Sequence, residues 1–417
     1  MVLKLEKTLQ KIFSKYDGLV IRSDSWKNFL KDGVPTKKLE AWRYSDLTLL
    51  YQKYLIASVK LKLNNTRNSL LDKLELTEGY YNIIFIDGIL VYVDQNPSVL
   101  VIKTVPIFEP HRRIKHPTML LAQATTIAGL HLRIKENTFI DKPIQISYIH
   151  SDTCNHKVVN YQNIIELLPK SRCQVHERFI STSDKYSAVN INTKVDLAEN
   201  SHYCYDFLSN KLQEKLLLTN IIAARLDKYT KFETFQLSGN STLTRFDIIV
   251  DLLGQEAMFN ASGICTVTER SHSDCHFYVN HLASNTSSKI DFKAIVSGKS
   301  TMVFNAKGYI KKGLKNVQVL QNNRNIQLTS NAKINTKPEL EIYSDDVICR
   351  HSTTVGNLDS AALTYLQTRG ISYKKAVELV LDSFAREIII ELPKPSQIIK
   401  RYLKVLQKEL LSLEYLV

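Results

Sequence analysis

No stretch of the 417 residues comes near the roughly 20 consecutive apolar positions needed to cross a bilayer. No membrane role is expected. Residues 1–17 alternate lysines with Leu3, Leu5, Leu9, Ile12 and Phe13, which reads as an amphipathic helix. They lack the continuous apolar stretch and cleavage site of a secretory signal. Cysteine is sparse and dispersed: Cys154, Cys173, Cys204, Cys265, Cys275 and Cys349 form no Cys-x-x-Cys pair. That argues against a zinc ribbon, a thioredoxin-type centre or a disulfide framework, and the thiols read as reduced, in a cytoplasmic setting. Catalytic signatures are missing as well, with neither a G-x-S-x-G elbow nor an H-E-x-x-H helix present. Ser297-Gly298-Lys299-Ser300 imitates the tail of a phosphate loop, but Lys293 stands where the leading glycine belongs and the context is alternating strand.

Acidic residues are also in short supply. Fifty-five Lys and Arg against 41 Asp and Glu give a formal charge of +14. A nucleic-acid surface would gather that charge on one face and weave it with aromatics. The basic clusters here, Lys37-Lys38, residues 111–116 and Lys311-Lys312, are small and separate. A general drift toward Lys, Asn, Ile and Tyr accounts for the charge better, and no nucleic acid is expected as a partner.

What is present falls into three parts: a helical unit over 1–78, a β core over 79–355 and a second helical unit over 356–417. In the first, the stretch 33–47 carries Trp42 and Tyr44 around Arg43, which reads as a buried aromatic anchor. From Gly79 the period changes to two, with a hairpin signal at Asp87-Gly88 and a brief return to helix near Pro117. Short segments with every second residue apolar then recur for roughly 200 residues, a pattern shared by sandwiches, barrels and β-helices. Periodicity leaves the three open, although the polar run Gln321–Asn325 leans toward stacked coils. Asp359 is a good N-cap, and Gly370 stands where the helix that follows should stop. Two further amphipathic patterns, around Ala376–Ile388 and Ile398–Leu410, are separated by Pro393 and Pro395.

Two constellations hold metal-ligating residue types. Cys349 and His351 are two positions apart, so a strand would put both on one face, about 7 Å apart. A thiolate and an imidazole there can approach one soft or borderline metal, and Asp345 or Asp346 are candidates to fix the imidazole tautomer. The second is His272, Asp274 and His276, which form either a secondary metal site or simply one face of a strand.

The stretch 341–371 resembles the signature of the SufB/SufD family of iron–sulfur assembly proteins, in its SufD form. The matching residues are Leu340-Glu341-Ile342, Asp345-Asp346-Val347, Cys349 and His351, Thr354-Val355-Gly356-Asn357-Leu358-Asp359, and Tyr365-Leu366 with Arg369-Gly370-Ile371. Ser352 stands where the family usually has glycine. A second match covers Pro35, Lys38, Glu40 and Trp42-Arg43-Tyr44. The resemblance implies a right-handed β-helix core flanked by N- and C-terminal helical domains. It also implies a non-catalytic subunit paired with a SufB-like paralogue and bound to a SufC-like ATPase through the C-terminal helices, with Asp359, Tyr365, Arg369 and Gly370 supporting that contact. His351 would serve a transient iron–sulfur cluster or iron shared with SufB. The family assembly is also associated with reduced flavin, for which this chain carries no motif. The competing reading is a β-helix enzyme or lectin acting on an acidic polysaccharide. It lacks both an export signal and an acid–base carboxylate cluster.

Overall fold

The computed structural model describes residues 27–29, 31, 36–47, 76–95, 99–103, 117–126, 128–151, 157–181, 186–209 and 215–411. The helix expected over 1–17 and most of the helical unit 1–78 lie outside these residues, as do Cys154 and the basic cluster 111–116.

The short alternating segments wind into a parallel β-solenoid with two walls. One wall stacks β1 (Tyr81–Ile86), β5 (Ile144–His150), β7 (Arg172–Ser181), β9 (His202–Ser209), β11 (Lys231–Ser238), β13 (Met258–Val267), β15 (Ser287–Val296), β17 (Val317–Gln327) and β19 (Val347–Gly356), with β2 (Ile89–Val93) antiparallel on β1. The other stacks β4 (Ala128–Ile134), β6 (Val158–Leu167), β8 (Ser187–Leu197), β10 (Leu216–Leu226), β12 (Leu243–Leu252), β14 (His272–His281), β16 (Thr301–Ile310) and β18 (Lys333–Ile342), with β3 (Val99–Lys103) antiparallel on β4. From β4 onward successive strands alternate between walls, so each coil is one strand of each. Antiparallel strands close one end of the stack. At the other end β18 and β19 each pair on one side only, with β16 and β17.

Alternation is what fills the tube. In β9, Tyr203, Tyr205 and Phe207 point into the lumen while His202, Cys204, Asp206 and Leu208 point out. In-register stacking puts like on like: Tyr203 lies under Phe232, with ring centroids 5.3 Å apart, and Phe232 lies under Phe259 at the same spacing. The corners repeat too. Lys170, Asn200 and Tyr229 all have φ between 56° and 59°, a left-handed conformation that costs a non-glycine residue about 1–2 kcal/mol. The amide of each donates to a carbonyl in the turn of the next coil, Glu199, Lys228 and Gln255 respectively, at 2.8–3.1 Å. The ladder therefore continues around the corner and offsets the strain. Gly254 is required by the same stacking, because a Cβ there would sit 2.0 Å from the backbone nitrogen of Lys228.

Both outer walls are partly covered. Four helices beyond the N-terminal segment are described: α1 (Pro117–Thr125), α2 (Ser360–Thr368), α3 (Tyr373–Ile390) and α4 (Ser396–Leu411). Met119 of α1 packs on Ile221 and Ile249 of one wall. The apolar faces of α3 and α4 (Ala376, Val377, Leu381, Ala385 and Ile388; Ile398, Tyr402 and Leu406) lie on the opposite wall against Leu208, Phe235, Ile264, Ile295 and Ile326. The Tyr402 ring stacks on Phe235 at 5.0 Å and 15°. These helices share a core with the solenoid wall. No helix among the described residues is long and apolar enough to cross a membrane.

Candidate functional site

β19 carries Cys349 and His351 on the last strand of its wall. Cys349 is partly buried and packs against Ile310, Val317 and Val319, so its face of the strand looks toward the lumen. His351 shares that face by alternation, but no described strand pairs on the far side of β19 and the imidazole is exposed. Burial pushes the Cys349 thiol above its ordinary pKa, so a metal binding there must displace its proton. Thr353, next on the face, reaches across to Thr336 of β18 at 3.3 Å and ties the two open edges together. Ser352 stays in regular register opposite Asn322 and donates to its side-chain carbonyl at 2.7 Å; the strand needs no glycine there.

Asp345 and Asp346 precede β19 and are exposed. At about 3.3 Å of rise per residue, Asp346 lies about 16 Å along the strand from His351. The structure therefore does not bring either carboxylate to the imidazole. The residue directly beneath His351 in register is Gln321. It is buried, and its Oε1 has no hydrogen-bond partner. An amide carbonyl there suits the task of fixing a ring N–H. In the sequence Gln321 belongs to the polar run of the preceding strand, 30 positions from His351, and nothing there marks it as a neighbour of the imidazole.

Several large apolar side chains around the site are exposed. Ile348 is 53 % exposed, Tyr343 58 % and Val355 47 %, with Leu320 and Ile342 also open to solvent. Beyond the strand, Asp359 caps α2 by accepting from the amides of Ala361 and Ala362 at 2.9 and 3.2 Å. Gly370, with φ +83°, ends it. Tyr365 is exposed, with the Arg369 guanidinium 5.3 Å from its ring centre. Asp359 and Gly370 thus shape the helix, and Tyr365 and Arg369 form its surface.

His272, Asp274 and His276 do lie on one face of β14, the outer one, but they surround a different hub. Arg245 of β12 is fully buried and pairs with Asp247 at 2.7 Å and with Asp274 at 2.7 Å. His276 contacts the other Asp274 oxygen at 2.6 Å, and Ser45 bonds to both Asp274 and His272, at 2.5 and 2.8 Å. The Trp42 ring lies over the guanidinium at 3.8 Å, and Arg245 also donates to the Ala41 carbonyl. Trp42 is buried, as its sequence context suggests. Through Ser45 and Arg245, the Asp274 carboxylate holds the N-terminal segment on the wall. Burial would push that carboxyl up, but His276 and Arg245 outweigh it and hold it well below its usual range.

Gly298 and Lys299 form the turn between β15 and β16, and Lys293, on the outer wall, is held by Glu387 of α3 at 2.6 Å. Neither belongs to a phosphate loop.

Comparison with known proteins points the same way as the signature. Residues 149–384 match the family described as SUF system FeS cluster assembly, SufBD core domain. The chain is 25 % identical over 372 residues to the iron–sulfur cluster assembly protein SufD of Escherichia coli, covering 86 % of this chain and 85 % of that one. It is 24 % identical over 395 residues to a SufBD family protein of Synechocystis, covering 86 % and 84 %. A chloroplastic protein of Arabidopsis thaliana, ABCI7, is 21 % identical over 401 residues, covering 89 % and 82 %.

Proposed function

Since this chain belongs to the SufBD family of SUF-system iron–sulfur cluster assembly proteins and is most like SufD, we propose that it is a non-catalytic scaffold subunit whose open end docks on a SufB-like partner. The observation that carries this reading is the pair of edges, β18 and β19, on which no further described strand pairs, with the exposed imidazole of His351 on one of them and Ile348, Val355 and Tyr343 open to solvent. Exposed edges with apolar residues invite strand pairing with another chain. A partner's strands would continue both walls and cover Ile348, Val355 and Tyr343.

Donor chemistry supports a shared site. His351 and Cys349 offer one nitrogen and one sulfur, fewer than a cluster requires. Ligands from the partner would complete the sphere around iron or a nascent cluster, which is the cargo of the assembly. Gln321 would hold the His351 ring in one tautomer. A SufC-like ATPase would bind at α2, on Tyr365 and Arg369, and the α3–α4 pair would pass its movement to the wall beneath.

The test is reconstitution with SufB- and SufC-like partners. His351→Ala is expected to leave the complex assembled and to reduce cluster yield at least about tenfold, on the scale of losing a metal-site group. Full yield from the assembled variant complex would refute the site.

A further inference from the structure

A second set of donors lies on the outer wall, away from the open end. His202 and Cys204 occupy alternate positions of β9, and Glu233 sits beside Cys204 in register on β11. The His202 Nε2 is 2.6 Å from the Glu233 Oε2 and 3.4 Å from the Cys204 sulfur, and the sulfur is 3.7 Å from the same carboxylate oxygen. A tetrahedral ion with bonds of about 2.0–2.3 Å sets its nitrogen, oxygen and sulfur ligands about 3.3–3.6 Å apart. One edge, 3.4 Å, already has that length, and a second, 3.7 Å, is close to it. The third opens by less than about 1 Å once the ion replaces the shared proton. A plain histidine–glutamate hydrogen bond has no need of a thiol within reach of both partners.

The surroundings leave room for an ion. The side chains of His202 and Glu233 are 20 % and 15 % exposed. Cys204 and Glu233 line a cleft of about 250 Å³, whose far side is formed by Leu392, Pro393 and Lys394 between α3 and α4. Three lysines line the cleft, Lys231, Lys289 and Lys394. Lys231 takes the other oxygen of Glu233 at 2.9 Å, and Lys394 pairs with Asp206 at 2.8 Å. The cleft supplies space for a fourth, exogenous ligand.

We infer that His202, Cys204 and Glu233 form a binding site for one borderline divalent transition metal of the Zn²⁺ or Fe²⁺ class. The mixed nitrogen, sulfur and oxygen set suits such ions and not Mg²⁺ or Ca²⁺. β11 and β19 are four strands apart in their wall, about 19 Å at the usual strand spacing. The site is thus separate from the open end and stands whether or not that end binds a cluster. Burial pushes the Cys204 thiol up to about 12, so binding releases its proton to solvent.

The probe is Co²⁺, added to the full chain carrying Cys349→Ser so that the thiol at the open end is silent. One equivalent is expected to produce a thiolate-to-cobalt charge-transfer absorption that Zn²⁺ displaces. Cys204→Ser should abolish the absorption, and Glu233→Gln should weaken Co²⁺ binding about tenfold or more. No such absorption, or one that persists in Cys204→Ser, overturns the site. Should Cys204→Ser not fold, X-ray absorption of the Zn²⁺-loaded Cys349→Ser chain decides. One sulfur in the shell supports the site, and a shell of nitrogen and oxygen alone overturns it.

Discussion

Arg245 is the residue on which the N-terminal segment depends. A fully buried guanidinium is tolerable only when its donors and charge are met, and here Asp247, Asp274, the Ala41 carbonyl and the Trp42 ring meet them. Asp274→Asn removes one counter-charge and leaves Arg245 and His276 short of a partner. A loss of roughly 3–5 kcal/mol is expected, measured by denaturant unfolding. The pH dependence follows from the depressed carboxyl of Asp274. Its contribution is complete above the unfolded value of about 3.9 and is lost as pH falls toward the folded one. Acidification below about pH 4 should therefore release Trp42 and shift tryptophan fluorescence to the red. The Asp274→Asn chain should show a smaller acid-dependent change, and an equal one would disconnect Asp274 from the anchor.

At the scale of elements, α2 and the α3–α4 pair differ in what they can lose. α3 and α4 bury apolar side chains against the wall, so deleting residues 359–417 would strip a core as well as a docking surface. Point changes on α2 separate the two. Tyr365→Ala with Arg369→Glu should abolish co-purification with a SufC-like ATPase while leaving the thermal midpoint within a few degrees, since exposed positions contribute little to stability. Retained co-purification would move the contact elsewhere. Much of this level was legible in the sequence. Asp359 as cap, Gly370 as stop and the prolines after α3 act through local backbone chemistry, which needs no tertiary context. Period-two alternation found the strands but could not distinguish a solenoid from a sandwich or barrel, because all three bury alternate residues. The choice lies in register between strands roughly 30 residues apart, such as Tyr203 with Phe232. The same gap hid Gln321 beneath His351, Glu233 beside Cys204, and Arg245 between the histidines of β14 and the N-terminal segment. Each partner is adjacent only after the coil closes.

At the scale of the whole molecule, the described strands form a solenoid capped by antiparallel strands at one end and with unpaired edges at the other. Its open edges leave Ile348, Val355 and Tyr343 exposed to solvent, so association should be sensitive to charge there. Ile348→Lys is expected to leave the monomer folded, because the side chain is already in solvent, and to weaken binding to a SufB-like partner by at least about tenfold, measured by titration calorimetry. Unchanged affinity would place the partner on another face. The α3–α4 pair has a mechanical consequence. Its apolar contacts fall on β9, β11, β13, β15 and β17 in turn, so the pair is fastened to five consecutive rungs. A lever attached along so many rungs cannot peel from one of them alone. A load on the helices is shared among those five strands and bears on the stack as a unit.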